Sequence, residues 1–202
     1  VNHTIPHHLG VAPKMIITKN LDSGVTWIVG HDSITWANIL FLDTDASKSD
    51  DSNAFNDVAP TSTVWNVGGG NGNNSDNVNY VSYCFAEKTG YSKFGQYVGN
   101  SNSNGTFVYC GFKPSLILIK VHDGTNNWHI YDNKREGYNV DNDDLHPNNT
   151  DTEDTDDKID LVSNGFKLRL NNNDVNGNGN SYIYMAIGQS LVGSNNIPCT
   201  AR

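Results

Sequence analysis

The chain has 202 residues, 13 Lys and Arg against 22 Asp and Glu, and a formal net charge of −9 at pH 7. Its longest apolar runs, such as residues 115–121, fall far short of the roughly 20 that a membrane helix needs, and an acidic balance argues against nucleic-acid binding, which depends on clustered Lys and Arg. Hydrophobic residues at 36% and aromatic residues at 10% exclude wholesale disorder, and the length fits one large β-domain or two small ones.

Asn and Gly are unusually abundant, while Val, Ile, Tyr and Trp come in short runs. Asn favours turns and left-handed backbone, so the pattern predicts many strands joined by many turns. In chain order, residues 14–20 form a continuous apolar run behind a Pro turn, and 26–29 make the return arm of a hairpin. Residues 63–67 alternate apolar and polar, as in a strand with one wet face. Residues 79–86 are aromatic-rich and suit the centre of a sheet. A hairpin of 91–97 and 106–110 is predicted around the turn-rich 99–105. Then 115–121, 128–131, 166–170 and 181–187 repeat the opening series. No window carries a helical stripe. There is neither a starting Met nor a signal-peptide pattern at Val1, which leads us to expect a processed chain or a piece of a longer one.

That repetition is a duplication. Gly10-Val-Ala-Pro-Lys-Met-Ile-Ile-Thr-Lys19 matches Gly111-Phe-Lys-Pro-Ser-Leu-Ile-Leu-Ile-Lys120 without a gap, and the same register brings Asp22 to Asp123 and Trp27 to Trp128. Val64-Trp-Asn-Val67 then faces Gly165-Phe-Lys-Leu168. One residue of slippage sets Val81-Ser-Tyr-Cys-Phe-Ala-Glu87 against Ile183-Tyr-Met-Ala-Ile-Gly-Gln189. Each unit has too few strands to cover its own sheet face, and two units most simply cover each other. The expected fold is all-β: a pseudo-symmetric β-sandwich or jelly roll, lectin-like, in one domain over 1–202. Its repeat units run over 5–89 and 106–190, with a linking hairpin at 90–110.

The chemistry-bearing residues give modest signals. Asp174-Val-Asn176-Gly-Asn178-Gly179 matches the opening of a calcium loop, making Asp174, Asn176 and Asn178 candidate calcium ligands. The twelfth position is Met185 and not a bidentate Glu, so an Asn-rich hairpin turn is the better reading, and no cofactor is expected beyond that calcium. The acidic tract of Asp141, Asp143, Asp144, Asp151, Glu153, Asp154, Asp156 and Asp157 reads as a solvated loop. His3, His7 and His8 lack the spacing of a zinc site. Cys84, Cys110 and Cys199 are odd in number and widely spaced. Buried thiols are the plain reading for Cys84 and Cys110, and a bond between them stays open.

Nothing resembles a nucleophile elbow, and Glu87 and Asp132 have no evident partner carboxylate, so no enzyme activity is expected. Trp27, Trp65, Trp128 and Phe166 hold equivalent places and are expected in the core. Trp36, in the polar stretch 33–38, and its loose counterpart Tyr138 are the candidate ligand contacts, as rings beside amides suit a sugar face.

Five ordered segments stand out: Gly10-Val-Ala-Pro-Lys-Met-Ile-Ile17, Asn56-Asp-Val-Ala-Pro-Thr-Ser62, Tyr83-Cys-Phe-Ala-Glu87, Gly90-Tyr-Ser-Lys-Phe-Gly95 and Ser163-Asn-Gly-Phe-Lys-Leu-Arg169. Together they resemble an uncharacterised family of virion proteins of marine and cyanobacterial phages, among them tail-fibre and minor structural proteins. The resemblance covers roughly residues 5–189, and the acidic loops, the extra cysteines and the ending 197–202 depart from it. It implies a non-enzymatic structural protein of the virion, in an extracellular setting and without an active site. The first expectation is a tail-fibre or appendage module attaching to host-surface glycan. The alternatives are a capsid or tail decoration protein and a free-standing lectin-like domain. Expected partners are other virion proteins and further copies of the chain, as a trimer in a fibre, with no nucleic acid and no membrane insertion.

Overall fold

The computed structural model describes residues 2–135, 139 and 143–189. The strands of the first half are β1 (His3–Pro6), β2 (Met15–Asn20), β3 (Ile28–His31), β4 (Asn38–Phe41), β5 (Ser49–Asp50), β6 (Val64–Val67) and β7 (Tyr80–Phe85). Then come β8 (Ser92–Val98) and β9 (Phe107–Tyr109). The second half has β10 (Pro114–Val121), β11 (Trp128–Asp132), β12 (Asp144–Leu145), β13 (Ile159–Val162), β14 (Gly165–Leu168) and β15 (Ser181–Gly188). A short α-helix, α1 (Ser52–Phe55), is capped by the Asp51 side chain and ends at Asn56 in left-handed backbone.

The fold is an all-β sandwich of antiparallel sheets. One five-stranded sheet runs β5-β4-β3-β2-β7 and the other β12-β11-β10-β15-β8; β1 pairs with β6, and β13-β14-β9 forms a three-stranded sheet. The sequence match also aligns the cross-strand pairs. Met15 lies opposite His31 and Phe85, and its counterpart Leu116 lies opposite Asp132 and Ile187. Likewise Trp65 opposes Ile5, and Phe166 opposes Val108. Gly10 and Gly111, which open the matched segments, both take positive φ, a conformation that costs glycine little.

The stack has four layers, one more on each side than a two-layer sandwich or jelly roll provides. Between the five-stranded sheets lie Met15, Ile17, Val29 and Leu40 from one, and Phe94, Leu118, Trp128 and Ile183 from the other. The outer face of the first sheet puts Ile16, Ile28 and Ile39 against Trp65 and Val67 of the β1–β6 pair and Phe55 of α1. The outer face of the second puts Ile117, Ile119, Tyr131 and Tyr182 against Val108, Leu161, Phe166 and Leu168 of the three-stranded sheet. Both sides of β2 and β10 are therefore dry, which explains why they read as unbroken apolar runs. Each half supplies its own outer cover as well as part of the shared centre.

The expected hairpin at 90–110 does not form. β8 pairs with β15 and β9 with β14, in different sheets. Tyr97 and Val108 enter the same outer core from opposite layers, and burying both outweighs local pairing. Cys84 and Cys110 are free thiols in separate cores, and burial pushes the Cys110 thiol up to about 12. No helix among the described residues is long and apolar enough to cross a membrane.

Candidate functional site

Among the described residues, polar side chains gather in a groove of the first half and in a buried ionic cluster of the second. The groove, of about 770 Å³, runs between β1 and β6 on one side and β7 on the other, with residues 73–78 across its end. Its walls include His3, Ile5, Trp65, Tyr80 and Ser82. The loop is shaped by Tyr80, whose hydroxyl donates to the Asn71 carbonyl (3.0 Å) and accepts from the Ser75 N–H (2.8 Å). Asn73 Nδ2 donates to the Ala54 carbonyl at 2.7 Å, while its buried Oδ1 has no hydrogen-bond partner among the described residues. A buried amide oxygen of this kind is an acceptor waiting for a donor.

The second half repeats this loop. The Tyr182 hydroxyl donates to the Asn173 carbonyl and accepts from the Gly177 N–H, both at 2.8 Å. Asn176 is the counterpart of Asn74: each donates its side-chain amide back to the start of the loop, to Leu170 O and Gly68 O respectively.

In the second half, however, the equivalent of the groove is occupied by the chain itself. Tyr97 of β8 stacks on Tyr182 (centroids 5.0 Å, 10°), meets Phe166 edge-on and donates to the Val175 carbonyl at 2.8 Å. Beyond it, Asn100 N–H donates to Asn176 Oδ1 and Asn176 Nδ2 donates to Asn102 O.

The buried cluster centres on Asp144. Lys158 Nζ lies 3.0 Å from its Oδ1, and His129 Nδ1 and His146 Nε2 both meet its Oδ2, the latter at 3.1 Å. Lys158 also reaches Asp154 at 2.5 Å and Asp174 at 3.4 Å. Asn127 donates to His146 Nδ1 and accepts from Asn148, which fixes the amide and leaves the His146 proton on Nε2, aimed at Asp144. Burial works against the Asp144 charge, but the His129 hydrogen bond and the Lys158 ammonium outweigh it and hold the carboxyl below its ordinary value. Burial dominates at His129 and lowers it, favouring the neutral ring.

His129, Asp144 and His146 are the described residues whose ligand atoms converge, all within 4.8 Å of one another, and could hold a metal. Lys158 already supplies the cation facing Asp144. The arrangement is a brace joining β11, β12 and the start of β13.

The sequence-derived candidates fall elsewhere. Trp36 is only 4% exposed; its ring sits in the outer core of the first half, 5.2 Å from Phe55 and edge-on, so it is not a surface contact for sugar. Tyr138 lies outside the described residues. Asp174 and Asn176 have other partners, and Asn178 is exposed. Asp174 accepts from Asn126 and Asn172, and the Asn176 amide is consumed by Asn100, Asn102 and Leu170. The string forms a turn without the ligand set that a calcium loop needs.

A family model described as a domain of unknown function (DUF7483) matches residues 1–190. The chain belongs to that family. No curated protein and no solved structure matches it. In this DUF7483 chain sequence reasoning missed both sites. Asp144 reads as one of many solvated carboxylates, yet it is fully buried, with Lys158, four residues after Asp154, folded back onto it. The groove was not legible in the sequence, because its filled counterpart depends on β8 pairing with β15, where the sequence suggested a hairpin with 106–110.

Proposed function

We propose that the chain is a non-enzymatic structural module of a phage virion, in an extracellular setting, that works by joining other proteins of the particle. What supports this reading is the set of five motifs together with one observation: among the described residues no strand pairs with the outer edge of β7, which borders the groove, whereas the matching edge of β15 is covered by β8. An open strand edge beside a concave surface is a protein-docking feature. The titratable groups of the buried cluster are turned on one another and not toward the groove, which favours holding over turnover. Immuno-electron microscopy of purified particles tests the reading. Label at discrete positions on the particle is the expected result, and a protein confined to the infected cell and absent from particles would overturn it.

A second reading, attachment to host-surface glycan, is favoured by the amide and hydroxyl lining of the groove and by the unpartnered Asn73 Oδ1, an acceptor for a sugar hydroxyl. Binding on a glycan array that Asn73→Leu removes would select it.

A further inference from the structure

We infer that the outer edge of β7 and the adjoining groove receive an extended strand from a separate polypeptide, antiparallel to β7, with a tyrosine placed opposite Tyr80. This deepens the structural-module reading and rests on it for the source of the strand.

The chain itself shows how the site is filled. In the second half, β8 lies along β15 over seven residues, with Tyr97 opposite Tyr182. The Tyr97 ring enters the space bounded by Phe166, Tyr182 and the turn at Val175, and the following residues cap that turn through Asn176. The corresponding residues of the first half are Trp65, Tyr80, Asn73 and Asn74, and all four line the groove. Opposite the second half's Tyr184, the first half carries the smaller Ser82, which widens the space and makes it more polar. The groove is thus the space that an inserted ring and its trailing turn take up on the other side of the molecule.

The backbone is set for the same addition. Lys14 and Leu21 N–H groups donate to the carbonyls of Phe85 and Asn79. Odd positions of β7 therefore turn their N–H and C=O toward β2, and Tyr80, Ser82 and Cys84 turn theirs outward. In β15 the same phase holds: His122 N–H donates to Ser181 O, and Gly188 N–H turns outward to Tyr91 O. Among the described residues no strand pairs with that outer edge of β7. Main-chain hydrogen bonds to such an edge provide affinity, and a pocket for one side chain provides selectivity.

The test uses the chain as it stands and a labelled, end-blocked peptide of residues 91–102, the chain's own β8 with its turn. Saturable binding by fluorescence anisotropy below millimolar concentration is expected, with slowed amide exchange across residues 80–85. Tyr97→Ser in the peptide should weaken binding at least tenfold. Ser82→Pro in the protein should do the same, because it removes an outward N–H without touching the β2 ladder, whereas Ser82→Ala should bind as the native chain does. No binding up to millimolar peptide, or binding indifferent to both Tyr97→Ser and Ser82→Pro, overturns the proposal. So does protection of residues 80–85 by oligosaccharides alone, which makes the groove a glycan site. Self-association of the chain that Ser82→Pro abolishes would make the occupant a second copy, also against the proposal. A negative peptide result with the protein still located on particles would sink only this inference, and absence from particles only the virion reading.

Discussion

Tyr97 lies face to face with Tyr182, ring centroids 5.0 Å apart and 10° from parallel, with its hydroxyl on the Val175 carbonyl. That contact fastens β8 and its following turn to the second half, so its loss should be felt well beyond one side chain. Tyr97→Ala should destabilise the chain by about 3–5 kcal/mol, as for other buried aromatic truncations. Tyr97→Phe, which keeps the ring and leaves one carbonyl without its donor, should cost about 1 kcal/mol. Urea unfolding followed by tryptophan fluorescence measures both.

His31 should make the chain sensitive to mild acid. Its ring is fully buried, Nδ1 accepts from Ser33 N–H and Nε2 meets the Tyr184 carbonyl at 3.2 Å, a set that suits the neutral form. Burial lowers its pKa to about 4, against which the Tyr184 bond acts only in part. The unfolded chain therefore binds more protons than the native one between the two pKa values. Stability should fall as pH drops from about 6.5 toward 4, by about 3 kcal/mol, and should owe nothing to this group above that range. The slope of Tm against pH in that window should be shallower in His31→Gln.

Lys158→Met should cost about 3–5 kcal/mol, because it strands the buried Asp144 carboxylate without its ammonium. The double variant Asp144→Asn, Lys158→Met should cost less than the two single changes together. Since Asp144 titrates below its ordinary value in the folded chain, its contribution should persist at neutral pH and disappear as pH falls through that lowered value. Equilibrium unfolding of the three variants across pH checks all of this.

Within the Asn-rich turn, Asn176→Ala should destabilise by about 2–4 kcal/mol, as it leaves Asn100 N–H, Asn102 O and Leu170 O without the amide that links them. Asn178→Ala, at an exposed position, should stay within about 0.5 kcal/mol. Millimolar calcium should leave Tm unchanged in both variants and in the native chain; a rise that Asp174→Asn removes would restore the calcium loop.

Strand identity was legible because the apolar runs around Met15 and Leu116 are short, β-branched and bounded by Pro and Asp turns. Trp65, Trp128 and Phe166 occupy the core as their matched positions suggest. Trp36 misled because polar neighbours in sequence do not report what covers a ring: Phe55 comes from a helix nineteen positions on, and short-range pattern carries no trace of it. The four-layer stack was hidden for a related reason, since an unbroken apolar run says that both faces are dry but not what dries them. Asp144 shows the limit for charge, as burial of a carboxylate depends on a distant Lys that composition counts merely as one of thirteen cations.

The core between the five-stranded sheets is drawn from both halves, and it is stitched at its rim. Trp128 Nε1 donates to the Phe41 carbonyl at 2.8 Å, and Lys120 Nζ reaches across to the Asp45 carbonyl at 3.1 Å. A gene cut within 99–105 would therefore yield two fragments, neither able to hide Met15 and Ile17 or Leu118 and Ile183 from water alone. Mixed together they should reconstitute, which makes the molecule a natural candidate for split-protein complementation.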